Sequence, residues 1–178
     1  MGNDRMLPTI KNFLLTGRPG IGKTTVAEAV IREFEESARA ALERAFALRP
    51  YGTTATLAHV GFSSPVKVGK YGVDLETLRS IALPSVRTAI KQKQVIVIDE
   101  IGRMEVASKE FRTAALEALD SNRVVGATIQ RHADPFTDLL KKRHDVKLIE
   151  VTVENRHQLP RMVAELVNAA LQKPERAS

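Results

Sequence analysis

The string Gly17-Arg18-Pro19-Gly20-Ile21-Gly22-Lys23-Thr24-Thr25 contains the spacing G-x-x-x-x-G-K-[ST], which is chemistry for holding phosphate. Backbone N–H groups converge on phosphate oxygens only where side chains leave room, hence the glycines, and a helix beginning at the end of the string adds positive dipole. Lys23 would reach the β and γ phosphates, and the Thr24 hydroxyl would be offered to Mg2+. A second string, Val95-Ile96-Val97-Ile98-Asp99-Glu100, is an apolar run ending in two acids. In a parallel sheet the ligand lies beyond the carboxyl ends of the strands, which aims both acids at the phosphates. Asp99 is then the natural partner of Mg2+, and Glu100 is placed to orient an attacking water and take its proton.

Other residues are less strongly selected. Arg18, Arg103 and Arg131 are alternative sources of positive charge for a transition state, and Thr128 and Gln130 lie where a terminal phosphate would be sensed. Asn155 and Arg156 follow the last strand, where a loop commonly covers a nucleotide base. The histidines His59, His132, His144 and His157 have no metal-ligand spacing on a shared helix face. The basic trio Lys141-Lys142-Arg143 is explained most simply by a helix carboxyl terminus.

The elements that must position these residues read as short apolar strands alternating with helical segments, the signature of a parallel sheet covered by helices. Strands are expected at Ile10–Thr16, Val95–Ile98, Val124–Ile129 and Lys147–Val153, with Ala55–Val60 as a weaker fifth. Helices are expected from Gly22 onward, over Leu75–Lys91 with an Asp74 cap and a kink near Pro84, over Ser108–Leu119, over Pro135–Leu140 behind Asp134, and from Gln158 to Leu171. Ser37–Leu48, rich in Ala, Arg and Glu, reads as an extension of the first helix. The ends, 1–8 and 174–178, read as loose.

The chain of 178 residues fits one domain, spanning 1–178, and its 43% hydrophobic and 27% charged residues exclude wholesale disorder. With no cysteine, thiolate zinc sites and cysteine nucleophiles are excluded. A net charge of +6 without a charge block, and aromatic residues at 4%, disfavour a nucleic-acid platform. No apolar stretch is long enough for a signal peptide or a membrane span, so a cytoplasmic protein with no membrane partner is expected; a monomer is the expected state.

The phosphate string together with Asp99-Glu100-Ile101-Gly102-Arg103-Met104-Glu105 resembles the thermophile-type nucleoside-triphosphatases and their human cancer-related relative. The segments Val68–Leu75, Ala127-Thr128 and Val151–Arg156 extend the likeness. The resemblance implies a three-layer α/β P-loop NTPase fold with a mostly parallel sheet of about five strands and helices on both faces. It also implies Mg2+-dependent cleavage of the terminal phosphate of ATP, GTP, CTP, UTP and TTP, slowly and with little base preference. Carried onto this sequence, nucleotide contacts would fall on Gly17–Thr24 and on Val95–Gly102, which includes Ile101, with Lys70 and Tyr71 on the substrate side. Ser37–Thr54 departs from the family pattern, where a Gly-rich stretch with additional strands would stand. A small nucleotide kinase and a nucleotide-gated RNA-binding module remain as alternatives; a kinase would need an Arg-rich lid, which the sequence does not display.

Overall fold

The computed structural model describes residues 9–37, 45–47 and 57–172. In chain order these hold β1 (Asn12–Thr16), α1 (Lys23–Ser37), β2 (Ala45–Ala47), β3 (Ala58–His59), β4 (Lys67–Val68), β5 (Tyr71–Val73), α2 (Leu75–Thr77), a π-helical turn (Leu78–Ala82) and α3 (Leu83–Gln92). There follow β6 (Val95–Ile101), a 3-10 turn (Glu105–Ala107), α4 (Lys109–Asp120), β7 (Val124–Ile129), α5 (Pro135–Lys141), β8 (Val146–Glu150) and α6 (Leu159–Leu171).

The main sheet has the strand order β2-β6-β7-β1-β8, and every pair in it is parallel. All residues of β1 are buried, and they alternate between two cores. Leu14 joins Ile96, Ile98, Val125 and Phe111 on the side of α3 and α4, while Phe13 and Leu15 join Val26, Val163 and Val167 on the side of α1 and α6. Each of these large apolar side chains contributes about 1.5–3 kcal/mol by leaving water, which is why apolar β-runs must lie between two helical layers. The expected three-layer α/β architecture is therefore present.

Helix starts follow the capping chemistry in the sequence. Asp74 accepts from Glu76 N and Thr77 N, Ser108 from Phe111 N, and Asp134 from Phe136 N and Thr137 N. The expected irregularity near Pro84 is a π turn. Pro84 lacks an N–H and crowds the carbonyl of Ser80, and Leu83 N–H donates instead to Leu78 O, one residue farther back than in an α-helix.

Two expectations are corrected. Of the stretch read as an extension of the first helix, Ala45–Ala47 is a strand that pairs in parallel with the open edge of β6, while 38–44 and Leu48 lie outside the described residues. A free row of β6 backbone donors and acceptors outweighs the helical preference of an Ala- and Arg-rich segment. Within the weak strand expected at Ala55–Val60, of which 55 and 56 lie outside the described residues, Ala58–His59 is a strand, and it belongs to a separate antiparallel sheet of order β3-β5-β4. That sheet is built on a hairpin whose two-residue turn is Gly69-Lys70, a glycine-first turn of the kind that suits strand twist. The expected loose ends, 1–8 and 174–178, lie outside the described residues.

At the amino end of β1, far from the phosphate string, a polar network ties three elements together. Asn12 Nδ2 donates to Leu119 O at 3.1 Å and Asp145 Oδ2 at 2.9 Å, and Arg143 grips both oxygens of Asp145 at 2.9 Å each. Arg143 also meets Asp120 at 2.8 Å, so the basic trio spends its arginine on structure. Burial pushes the Asp145 carboxyl up, but the hydrogen bonds and charge of Arg143 outweigh that and hold it below its ordinary value. The stabilisation is thus present above about pH 4 and is lost as the pH falls through the lowered folded-state value. Asp145→Ala is expected to cost about 3 kcal/mol in urea denaturation at pH 7, with a smaller difference from wild type near pH 3. A difference that does not shrink on acidification would refute this account.

Candidate active site

The phosphate string forms the turn between β1 and α1. Gly17 must be glycine because a Cβ there would stand 2.8 Å from Val151 O, and β8 is latched to the loop by Val151 N–H donating to Thr16 O at 2.7 Å. Gly20 and Gly22 take φ of +75° and +99°, conformations closed to most side chains, so the loop N–H groups can turn inward. Lys23 is the first residue of α1 and is 9% exposed.

β6 runs on through the acids rather than ending before them. Ile98 pairs with Ala127 and Ile101 with Ile129, so Asp99 and Glu100 together face the single residue Thr128: a β-bulge. Strict alternation would send adjacent side chains to opposite faces. With the bulge, both acids reach the loop. Asp99 Oδ1 accepts from Thr24 Oγ1 at 3.3 Å and from Thr128 Oγ1, while Glu100 Oε2 lies 3.9 Å from Lys23 Nζ.

A cleft of about 680 Å³ opens over these groups at the carboxyl ends of the strands. Of the sequence candidates it is lined by Gly17, Pro19, Gly20, Gly22, Lys23, Thr24, Glu100 and Gly102, and also by Arg103, Arg131 and Gln130. Thr25 is exposed and Ile21 packs against the core, while Arg18 is exposed outside the lining. Val95, Ile96, Ile98 and Ile101 are buried within the sheet and Val97 packs beside them, so this stretch carries the acids without touching the cleft. Asn155 and Arg156 also stand outside the lining: Asn155 accepts from Thr152 N and donates to Glu150 O, which closes its own loop. Lys70 and Tyr71 are exposed at the hairpin, with the Lys70 ammonium 5.5 Å from the Tyr71 ring, and only Val68 of that hairpin reaches the cleft. All four histidines are exposed, and His132 stands at the rim.

Three neighbours were not singled out by residue type. Glu105, legible only inside the Asp99–Glu105 string, accepts from Gly102 N–H at 3.0 Å. Burial pushes its carboxyl up against the pull of backbone donors, and the charges of Glu100 and Asp99 push the same way. A Cβ on Gly102 would stand 2.9 Å from Glu105 Oε2 and 3.2 Å from Glu100 Oε1, so a glycine lets two carboxylates close around it. Met104 and Val68 add an apolar wall. Gln130, which also lines the cleft, is 6% exposed; its Nε2 donates to Thr137 Oγ1 at 3.4 Å and its buried Oε1 has no partner.

For a metal, Thr24 and Asp99 present hard oxygen donors side by side. Among the described residues no group of three or more His, Cys, Asp or Glu could hold an ion alone, so an ion here would draw its remaining ligands from phosphate and water, as Mg2+ does.

Comparison with known proteins agrees with this geometry. A protein-family model described as NTPase matches residues 45–164. The nucleoside-triphosphatase THEP1 of Thermofilum pendens is 40% identical over 170 residues, covering 86% of this chain and 93% of that protein. The chain belongs to the THEP1 nucleoside-triphosphatase family. THEP1 of Thermotoga sp. (strain RQ2) is 37% identical over 158 residues, covering 83% of this chain and 90% of its own length. Among solved structures, THEP1 from Aquifex aeolicus superposes with a TM-score of 0.74 at 29% identity, covering 88% of this chain and 98% of that one. The human cancer-related nucleoside triphosphatase does so with a TM-score of 0.66 at 30% identity, covering 91% and 98%. The resemblance read from the two strings is thereby confirmed, and so is the THEP1 architecture. No helix among the described residues is long and apolar enough to cross a membrane.

Proposed function

We propose that the cleft hydrolyses the terminal phosphate of nucleoside triphosphates with Mg2+, tolerating different bases, and that the chain works as a single-domain cytoplasmic monomer. The observation that carries this reading is the bulge, which brings Glu100 to 3.9 Å from Lys23 while Asp99 meets Thr24. Lys23, Gly17–Gly22 N–H groups and the amino end of α1 hold the phosphate chain. Thr24 and Asp99 would hold the ion, which would supply positive charge to neutralise the phosphate chain. Glu100 takes a proton from water as the water oxygen bonds to the γ phosphorus. The β–γ bridging bond breaks with its electron pair left on the diphosphate, so the products are nucleoside diphosphate and inorganic phosphate.

Base tolerance is supported by Asn155, whose side chain is spent on its own loop. Binding then rests on the triphosphate, which every nucleotide shares. An acid beside the phosphate chain suits water as acceptor better than an alcohol that must be shielded from it. The test is phosphate release from ATP, GTP, CTP, UTP and TTP, with Mg2+ or with chelator, in the presence of mixed nucleosides and nucleoside monophosphates. Release from all five that chelator abolishes, with acceptors unchanged, is expected. Label transferred to an acceptor would replace this reading with a kinase, and nucleotide-dependent RNA affinity without steady release would replace it with a binding module.

A further inference from the structure

Arg131 leaves the carboxyl end of β7, the strand between the acid strand β6 and the loop strand β1. Its root is rigid, since Ile129 is fully buried and Gln130 N–H donates to Ile101 O at 3.2 Å. Its guanidinium does not stay over its own strand. Nη2 stands 3.5 Å from Oε1 of Glu150, the last residue of β8, on the far side of β1. Glu150 pairs in register with Thr16, the residue before Gly17, so the Arg131 side chain crosses β1 where the phosphate loop begins.

This ion pair is weak by its surroundings: the two side chains are 50% and 54% exposed, and the contact is 3.5 Å long. Phosphate oxygens in the cleft offer the same guanidinium a bidentate, charge-assisted alternative with more negative charge. Neither other arginine has this combination. Arg18 lies outside the cleft lining, and Arg103 sits on the exposed turn after the acids rather than at the end of a buried strand.

We propose that Arg131 is parked on Glu150 and swings onto the terminal phosphates when a nucleoside triphosphate binds, supplying in cis the positive charge that the transition state needs. The assignment rests on the triphosphatase reading and adds to it that Glu150 competes with substrate for the arginine. Glu150 thereby slows turnover.

The two residues of an ordinary surface pair would respond alike to substitution, whereas a parked arginine and its holder respond with opposite sign. Arg131→Ala is expected to lower kcat about 100-fold or more, with partial recovery in Arg131→Lys. Glu150→Gln is expected to raise kcat/KM severalfold. Equal small losses in Arg131→Ala and Glu150→Gln, or an Arg131→Ala enzyme within twofold of wild-type kcat, would overturn the proposal. A measurement without turnover separates it from failure of the hydrolase reading. The affinity ratio for a non-hydrolysable ATP analogue over ADP should fall in Arg131→Ala and rise in Glu150→Gln, and unchanged ratios would overturn it even in a protein that hydrolyses ATP.

Discussion

Glu100→Gln is expected to lower kcat for phosphate release by on the order of 10²–10⁴-fold while nucleotide affinity changes little. The amide keeps the shape of the carboxylate but cannot take the proton that water must lose. Nothing in the core depends on the charge, because Glu100 is 36% exposed at its side chain and its ion partner Lys23 is one end of a 3.9 Å contact rather than of a tight hydrogen bond. Phosphate release and calorimetric binding of an ATP analogue, measured on one preparation, separate the two effects. The rival base is Glu105, a carboxylate that stands with Glu100 around the Cβ position of Gly102 and is pushed up by burial. If Glu105→Gln abolished release and Glu100→Gln did not, the assignment of the base would move to Glu105.

Lys23→Ala is expected to remove both binding and catalysis, with kcat falling about 10²–10³-fold and KM rising as well. Its ammonium is the one charge carried at the first residue of α1, under the glycine turn, where the side chain is almost wholly enclosed. Lys23→Arg should not restore activity, because a planar guanidinium is larger and directs its donors in a fixed fork. Folding should survive, since Glu100 left without its partner still meets water. Thermal midpoints of wild type and Lys23→Ala in the absence of nucleotide are therefore expected to agree within a few degrees, and to separate when Mg2+ and an ATP analogue are added. A variant that still gains thermal stability from the analogue would show that Lys23 is not a principal phosphate ligand.

Much of the site was legible because its parts are local. A helix that starts at Lys23 needs glycines before it if phosphate is to approach, and both requirements are met within a few consecutive residues. Asp74, Ser108 and Asp134 are likewise local, each accepting hydrogen bonds from N–H groups two or three residues onward. By contrast, Val68, Gln130 and Arg131 are far from the phosphate string in sequence and enter the cleft only because β7 and the hairpin are brought to it. Gln130 and Arg131 are legible only as residues just past the apolar run Val124–Ile129, and no spacing rule announces Val68.

The strings at Gly17–Thr24 and Val95–Glu100 thus pointed to the phosphate chemistry and to the end of the sheet where ligand must lie, and the alternation of apolar strands with helical segments along the chain pointed to the α/β class. The tertiary structure decided the rest through pairing between distant strands. It set β7 between the loop and the acids, and it drew Ala45–Ala47 out of a helical composition onto the edge of β6. It also slipped the β6–β7 register by one residue at Thr128, which brings two adjacent acids to one phosphate loop. Alternation along a strand is a property of local backbone geometry, but the bulge that breaks it depends on which strand lies alongside and in what register.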